Sequence, residues 1–183
     1  SREDVGGVGA RLTYGDGSFQ HSAFMFPSLG QIWTEFFPVP GRFIEGAFNG
    51  RYEKAKYQSD QPFPVDFTLG ATMMLKREVL LETGLFDEDF LIYCEEVDWA
   101  WRIHNAGWNI LCVPQAHVTH LGGQSTSQVK AWSTINLWKS RLHLYEKHYP
   151  AWKRWLARRL VMSGMRYKIS QLDPQSENYE DVL

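Results

Sequence analysis

The sequence predicts an α/β fold, and three observations favour this class. A pattern typical of a strand runs from about Val5 to Thr13 and ends in a glycine-rich turn. A strand, two helices and a second strand follow one another between about residues 65 and 114. Helical patterns fill the chain beyond residue 125. Strands and helices that alternate at this spacing are typical of an α/β architecture.

Composition narrows the functional classes. The chain has 183 residues and is 44% hydrophobic, which suits one domain with a sizeable core. A net charge of -2 gives no global preference for nucleic acid, so we expect no nucleic-acid partner. No stretch approaches the roughly 18 consecutive apolar residues of a membrane span, and no signal-peptide pattern opens the chain. Cys94 and Cys112 lack metal-type spacing, so we expect buried thiols and a cytoplasmic location.

The N-terminal part of the chain raises two questions. The first strand has no earlier element to pair with, so we expect its neighbours in sequence outside this chain, which would then be a fragment. Residues 27–64 are rich in proline and contain one short apolar helix pattern, near Leu29 to Phe37. A connection of this length is often a lid or a binding loop, but it also fits a partly disordered insert.

The central region predicts a run of regular elements. A strand is expected through Gly70–Leu75, followed by a helix over Arg77–Thr83 with Gly84 as its left-handed C-cap. The segment "EEVDWAWRIHNAG" predicts the next helix, which Gly107 closes. A buried strand follows and is expected to stop at Pro114.

Two helices are predicted at the C-terminal end. Ser125 and Gln128 have the spacing of a capping box, so one helix is expected to start after Ser125. A second helix begins after Pro150 and is followed by a polar tail, which divides the chain into residues 1–150 and 151–183. The predicted buried face of the first helix consists of Val129, Trp132, Ile135, Trp138, Leu142 and Tyr145.

Three carboxylates, Glu95, Glu96 and Asp98, lie within four positions at the start of a predicted helix. They either complement the helix dipole, for at most about 1 kcal/mol, or one of them acts as a base. On a helix, Glu95, Asp98 and Trp99 share a face, whereas Glu96 points about 100° away. Asp98 is expected to pair with Arg102 one turn later.

Several motifs follow one another in a fixed order: Gly70-Ala71, "GLFDEDF", "YCEEVDWAWR", "AGW" and "VPQAHVTHLGGQS". Together they resemble the C-terminal half of family 2 glycosyltransferases, particularly the bacterial rhamnosyltransferase-like branch. The resemblance covers about residues 5–150 and implies an incomplete GT-A type fold with a mixed sheet, flanking helices and C-terminal helices. It also implies a nucleotide-sugar donor, Mg²⁺ or Mn²⁺, and inverting transfer to a glycan or lipid-linked acceptor in cell-surface polysaccharide synthesis.

The resemblance implies roles for individual residues. The pair Glu95-Glu96 occupies the place of the family's general base, although the usual second residue is Asp, so the choice between the two stays open. We favour Glu95 because it shares a helix face with Asp98 and Trp99, which are assigned with the Gly70-Ala71 loop to acceptor binding. A carboxylate that removes the proton of an acceptor hydroxyl is worth roughly 10²- to 10⁴-fold in rate.

The same resemblance assigns His120 as an auxiliary metal ligand. The family's Asp-x-Asp motif is absent, and in relatives it lies upstream, so the isolated chain is expected to be inactive. A zinc site at His117 and His120 is a weaker alternative, because no other Cys or His cluster completes it.

Two further alternatives concern partners. Basic residues interleaved with tryptophan beyond residue 132 fit docking on anionic lipid at the inner face of the membrane, or a solvated cationic face. The chain as a whole is also compatible with a non-catalytic carbohydrate-binding or assembly module that retains the acceptor half of the fold.

Overall fold

The computed structural model describes residues 3–121 and 130–171. Two 3-10 turns, Ala47–Asn49 and Gly70–Thr72, supplement the regular elements. The strands are β1 (Val5–Thr13), β2 (Phe19–Gln20), β3 (Ala23–Phe24), β4 (Phe63–Val65), β5 (Phe67–Thr68), β6 (Met74–Leu75) and β7 (Asn109–Thr119). The helices are α1 (Leu29–Phe36), α2 (Gly41–Ile44), α3 (Lys54–Gln58), α4 (Arg77–Thr83), α5 (Glu95–Asn105), α6 (Lys130–His148) and α7 (Ala151–Ser170).

A mixed sheet of five strands forms the centre of the fold. The long strands β1 and β7 run parallel, and β2 and β6 pair antiparallel with β1 near its two ends. Strand β4 pairs antiparallel with the other edge of β7, whereas β3 and β5 form a separate two-stranded sheet. The predicted α/β class with a mixed sheet and flanking helices is confirmed, and the arrangement is consistent with part of a GT-A type fold.

The expectation that β1 finds its neighbours outside the chain is wrong. It pairs with β7 over most of its length and with β2 and β6 on the opposite edge. Strands β6 and β7 lie roughly 67 and 105 residues away in the sequence, and β2 and β6 are only two residues long, so no local pattern predicts this pairing. Gly9 is needed for this packing, because a Cβ there would lie 2.5 Å from Thr68 Cγ2.

Strand β7 continues past the residue at which it was predicted to stop. The register of β7 against β1 jumps from Val113, which pairs with Ala10, to His117, which pairs with Arg11. Pro114 therefore lies in an unpaired bulge, where its missing N–H costs no ladder hydrogen bond. The prediction that the strand stops at Pro114 is therefore wrong: Pro114 lies in a local irregularity, and the strand extends to Thr119.

The predicted strand over Gly70–Leu75 is also corrected. Residues Gly70–Thr72 form a 3-10 turn, and only Met74 and Leu75 pair with β1. The turn is closed by the Thr72 amide, which donates to the Leu69 carbonyl at 3.2 Å. Thr72 Oγ1 accepts from the Ala10 amide at 3.4 Å, so a side chain replaces the backbone ladder here.

The helices of the central region match the sequence prediction. Helix α4 spans the predicted residues, and Gly84 has a positive φ of 73°, although its ψ of -168° departs from the left-handed helical value. Helix α5 begins at Glu95, and Gly107 has the positive φ expected of a closing glycine. Gly84 and Gly107 therefore stand where the backbone needs a positive φ, which glycine adopts without steric cost.

The C-terminal helices pack with α1 into a second hydrophobic cluster. Trp138 and Tyr145 of α6 are buried there, but Trp132 and Ile135 are 47% and 55% exposed, so these two positions of the predicted buried face are wrong. Val129, which was also assigned to that face, lies outside the described residues. The predicted capping box at Ser125 and the polar tail lie outside the described residues. In the part of the chain that the structure describes, no helix combines the length and the apolar character needed to cross a membrane.

Gly164 allows α7 to approach α1 closely. A Cβ at Gly164 would lie 2.1 Å from Phe36 Cγ, which is itself buried. We expect Gly164→Ala to lower the free energy of unfolding by roughly 1–3 kcal/mol, measured by chemical denaturation. The control is Gly41→Ala, since a Cβ at Gly41 meets nothing within 4 Å. Equal stability of the two variants would show that α1 and α7 do not pack as described.

Candidate active site

A cavity of about 500 Å³ lies where the N-terminus of α5 faces the segment between β3 and β4. Helix α1 and the residues around Ala47–Asn49 form one wall, so the proline-rich connection forms regular elements beside the cavity instead of a disordered insert. Helix α6 closes another side through Leu137 and Arg141. The lining residues are Phe24, Pro27, Gln31, Thr34, Glu35, Ile44, Asn49, Arg51, Phe67, Leu69, Tyr93, Cys94, Glu96, Val97, Leu137 and Arg141.

The backbone that leads into α5 is conformationally unusual. Tyr93 and Cys94 have φ values of 67° and 68°, and neither is a glycine. Each such residue costs of order 1–3 kcal/mol and persists only where the surrounding structure holds it. Here the two residues turn the chain directly into α5, and both of them line the cavity together with Glu96.

Of the three carboxylates of α5, Glu96 lines the cavity; Glu35 of α1 also lines it but is paired with Arg141. The Glu96 side chain is half-buried, and burial raises its pKa to about 7, with the neighbouring Glu95 adding to the rise. Gly70 lies beside it, since a Cβ built on Gly70 would be 3.7 Å from Glu96 Cβ. Ala71 is exposed in the same 3-10 turn. The structure therefore brings Gly70 and Glu96, two of the predicted site residues, into one place.

Glu95 occupies a different position on α5. It is not among the residues that line the cavity, and its Oε2 atom is buried without a hydrogen-bond partner in the described part of the chain. The predicted 100° separation of the two glutamates holds, but the face shared by Glu95, Asp98 and Trp99 is turned away from the cavity. The preference for Glu95 as base is therefore not supported by the position of its side chain.

Asp98 lies at the centre of a buried ion cluster. Its carboxylate is inaccessible and accepts from Arg102 Nε at 2.9 Å, as predicted, and from His148 Nε2 at 2.7 Å. Lys147 Nζ lies 2.7 Å away as well. Burial alone would raise the pKa of Asp98, but the hydrogen bonds from these three groups hold it well below its usual range. Because the carboxylate is fully buried and both of its oxygens are engaged, Asp98 ties α5 to α6 and is not accessible to a sugar.

Trp99 also serves the fold. It is 7% exposed, its Nε1 donates to Thr83 Oγ1 at 3.0 Å, and its ring meets Phe86 edge-on. The face that was expected to stack on a sugar ring is thus covered. Three other aromatic residues line the cavity instead: Phe24, Phe67 and Tyr93.

No local sequence pattern predicted the opposite wall of the cavity. Arg141 of α6 forms an ion pair with Glu35 of α1, and Arg141 also covers the ring of Trp138. Thr34 donates to Asn49 Oδ1 at 2.7 Å, which fixes a polar patch beside them. These residues are separated by up to about 100 positions, so only the packing of α1 against α6 brings them together.

His120 lies at the edge of a second, smaller cavity. Its Nδ1 is 3.1 Å from Nε2 of Gln20, which lines that cavity. Within residues 3–121 and 130–171, no group of three or more His, Cys, Asp or Glu side chains is placed to hold a metal ion, and His117 is exposed. The described residues therefore do not fit a metal site by themselves, and no step below passes through one. Cys94 and Cys112 are buried free thiols, as predicted.

The chain is similar in sequence to two bacterial rhamnosyltransferases and to a bacterial O-antigen biosynthesis protein. It is 30% identical over 159 residues to an N-acetylglucosaminyl-diphospho-decaprenol L-rhamnosyltransferase of Mycobacterium tuberculosis, a match that covers 84% of this chain and 51% of the relative. It is 24% identical to the rhamnosyltransferase WbbL of Escherichia coli, over 76% of this chain and 50% of that protein. A third relative is the O-antigen biosynthesis protein RfbC of Myxococcus xanthus, 25% identical over 85% of this chain and 11% of that protein.

These similarities support a glycosyltransferase family for the chain. The chain spans about half the length of the rhamnosyltransferases that it matches. No protein-family model matches it.

Proposed function

We propose that this chain forms the acceptor side of an inverting family 2 glycosyltransferase and that Glu96 is its general base. The observation that carries the proposal is the position of Glu96 on the wall of the cavity of about 500 Å³, beside Gly70. A base is most effective when its pKa lies near the working pH, and burial raises the pKa of Glu96 to about 7. One test is the turnover of Glu96→Gln compared with that of Glu95→Gln in the intact protein.

The proposed reaction is a single displacement. A hydroxyl of the acceptor lies in the cavity and donates its proton to the Glu96 carboxylate as its oxygen bonds to the anomeric carbon of the donor sugar. The bond from that carbon to the diphosphate breaks on the opposite face, so the nucleoside diphosphate leaves and the configuration inverts. Phe24, Phe67 and Tyr93 supply aromatic faces against which a sugar ring can pack.

We propose the substrates of this chain from the names of its relatives. Two relatives are named as rhamnosyltransferases, so we propose rhamnosyl or hexosyl transfer from a nucleotide sugar. We propose a glycan or lipid-linked acceptor in cell-surface polysaccharide synthesis, and action on the cytoplasmic side of the membrane. For the intact protein we also predict a need for Mg²⁺ or Mn²⁺, which rests on the family resemblance alone.

Helix α7 supports the lipid-linked acceptor, because it has the character of a membrane-docking surface. Trp152 and Trp155 are 65% and 59% exposed, and the guanidinium of Arg159 covers the Trp155 ring at 5.3 Å. Exposed tryptophan beside cationic groups is typical of helices that lie on anionic bilayers. The helix contains no acidic residue, and its basic residues are Lys153, Arg154, Arg158, Arg159, Arg166 and Lys168.

Charge reversal on α7 tests this docking. We expect the triple change of Arg154, Arg158 and Arg159 to Glu to reduce co-sedimentation with anionic vesicles. Added salt should do the same to the unaltered chain, since exposed charges are screened within about 10 Å at 0.1 M. Arg77→Glu, an exposed cation on α4, is the control and should change little. Equal binding of the unaltered chain to neutral and anionic vesicles would refute electrostatic docking.

A further inference from the structure

A second cavity, of about 320 Å³, adjoins the cavity of Glu96. The two cavities share three lining residues, Phe24, Arg51 and Leu69. The polar side chains that line the second cavity include Gln20, His21, Glu45, Arg51 and Lys54. Because Arg51 lies on the border, a ligand in the second cavity would lie next to whatever occupies the first.

Three donors in this second cavity converge on one carboxylate. Glu45 accepts from Arg51 Nη1 at 2.6 Å, and its other oxygen lies 3.0 Å from Lys54 Nζ and 3.4 Å from His21 Nε2. The donors come from three different parts of the chain: the link between β2 and β3, the segment before α3, and α3 itself. Glu45, at the end of α2, is 45% exposed and therefore has ready access to water.

We propose that this cluster is a binding site for a diphosphate group and that Glu45 is a displaceable internal counter-ion. The inference rests on the proposed function in one respect, since the diphosphate would belong to the nucleotide-sugar donor or to a lipid-linked acceptor. Both sources carry the same anionic group, and it would lie beside the cavity in which the hydroxyl is deprotonated.

The charges and donors fit this ligand. Arg51 and Lys54 carry two full positive charges, and cationic N–H groups make short, strong hydrogen bonds to phosphate oxygens. Gln20 lines the same cavity and adds an amide, which His120 orients through the 3.1 Å contact. This gives His120 a positioning role in anion binding that does not require it to hold a metal.

The environment of His21 supports the displacement of Glu45. The imidazole is 10% exposed, and its Nδ1 is buried without a hydrogen-bond partner among the described residues. The other ring nitrogen, Nε2, lies 3.4 Å from Glu45 Oε2, which is long for a hydrogen bond. An anion that replaces the glutamate therefore gains a third donor at little cost to the fold.

A purely structural ion cluster would behave differently from a ligand site with an internal competitor. If the cluster only holds the segment around α2 in place, removing Glu45 or removing Arg51 should have the same sign of effect. If Glu45 competes with a diphosphate, removing the glutamate should tighten binding, whereas removing a cation should weaken it. Opposite signs are thus the signature of the proposal.

The experiment titrates inorganic pyrophosphate into the chain and follows binding by calorimetry and by backbone amide NMR. We expect Glu45→Gln to bind roughly tenfold more tightly than the unaltered chain, and Arg51→Gln and Lys54→Gln to bind roughly tenfold less tightly. Arg77→Gln, outside the cavity, should leave the affinity unchanged. Thermal melts show whether each variant is folded.

Three outcomes would overturn the proposal. These are no binding to either the unaltered chain or Glu45→Gln, an affinity that Arg51→Gln and Lys54→Gln leave unchanged, and weaker binding by Glu45→Gln. Glu96→Gln should bind pyrophosphate like the unaltered chain. A normal turnover of Glu96→Gln would therefore refute Glu96 as the base and leave the anion site untested by that result. Failure of the pyrophosphate titrations would refute the anion site and leave the assignment of Glu96 unaffected.

Two further titrations distinguish the sources of the diphosphate. UDP and dTDP represent the donor, and farnesyl diphosphate represents a lipid-linked acceptor. The source is the ligand whose affinity responds to Glu45→Gln and Arg51→Gln in opposite directions, as pyrophosphate does. If neither class responds in this way, the site does not serve a diphosphate substrate.

Discussion

Glu96→Gln in the intact protein is expected to lower kcat by roughly 100-fold or more while the protein stays folded. The amide has the same size as the carboxylate and keeps much of its hydrogen bonding, but it cannot accept the proton of the acceptor hydroxyl. Because Glu96 lines the cavity and its backbone lies at the start of α5, the substitution changes the chemistry of the wall with little effect on its shape. The measurement is turnover with donor and acceptor, alongside thermal melts.

Glu95→Gln is the matched control. It removes the same charge from the same helix turn, but the side chain does not line the cavity, so turnover should stay within a few-fold of the unaltered enzyme. Its loss of helix-dipole stabilisation should cost at most about 1 kcal/mol. Near-normal turnover of both variants would show that neither carboxylate is the base and that both only stabilise the start of the helix. A large loss for Glu95→Gln alone would reverse the assignment.

Asp98→Asn is expected to produce the largest loss of stability, roughly 2–4 kcal/mol in the free energy of unfolding. The substitution leaves the cluster of Arg102, Lys147 and His148 without its buried counter-charge. The cost should fall short of that for a fully buried pair, because Arg102 and Lys147 are 24% and 32% exposed and retain some hydration. Chemical denaturation at pH 7 measures it.

Asp87→Asn controls for the loss of a carboxylate near the same lysine. Asp87 lies 2.5 Å from Lys147 Nζ but is 26% exposed, so its removal should cost less than about 1 kcal/mol. Equal costs for Asp87→Asn and Asp98→Asn would contradict the central place of Asp98 in the cluster.

The stability that Asp98 contributes should also depend on pH. Its folded-state pKa is lower than the ordinary value of 3.8, so the carboxylate binds protons more weakly in the folded state than in the unfolded state. The contribution is therefore fully present above the unfolded pKa and is lost as the pH falls through the folded pKa. The difference in stability between the unaltered chain and Asp98→Asn should shrink in acid.

Local sequence patterns predicted those elements whose signals lie within a few residues. The strand Val5–Thr13, the helix Arg77–Thr83 and the helix that starts at Glu95 follow from turn and capping residues in the immediate chain. The pair formed by Asp98 and Arg102 also follows from the spacing of one helical turn. In each case the physical cause is local, so the sequence suffices.

Long-range packing decided what the sequence did not reveal. The spacing of α5 correctly separated Glu96 from the face of Glu95, but which face meets the cavity depends on α1 and α6, far away in the chain. The contact between His148 and Asp98 also depends on long-range packing, because it joins α6 to α5. This contact helps to bury Asp98, which was predicted to bind the acceptor. Nothing local marks the left-handed conformations of Tyr93 and Cys94, because neither residue is a glycine or an asparagine.

The pH dependence of kcat/KM in the intact protein tests the central claim, that Glu96 is the base, most directly. The base must be ionised to accept a proton, so the rate should rise with pH and level off above an apparent pKa of about 7. The residual activity of Glu96→Gln should lack this rise, while Glu95→Gln should retain it. A rise of the same midpoint in Glu96→Gln, or a rate already independent of pH above about 5, would contradict the account.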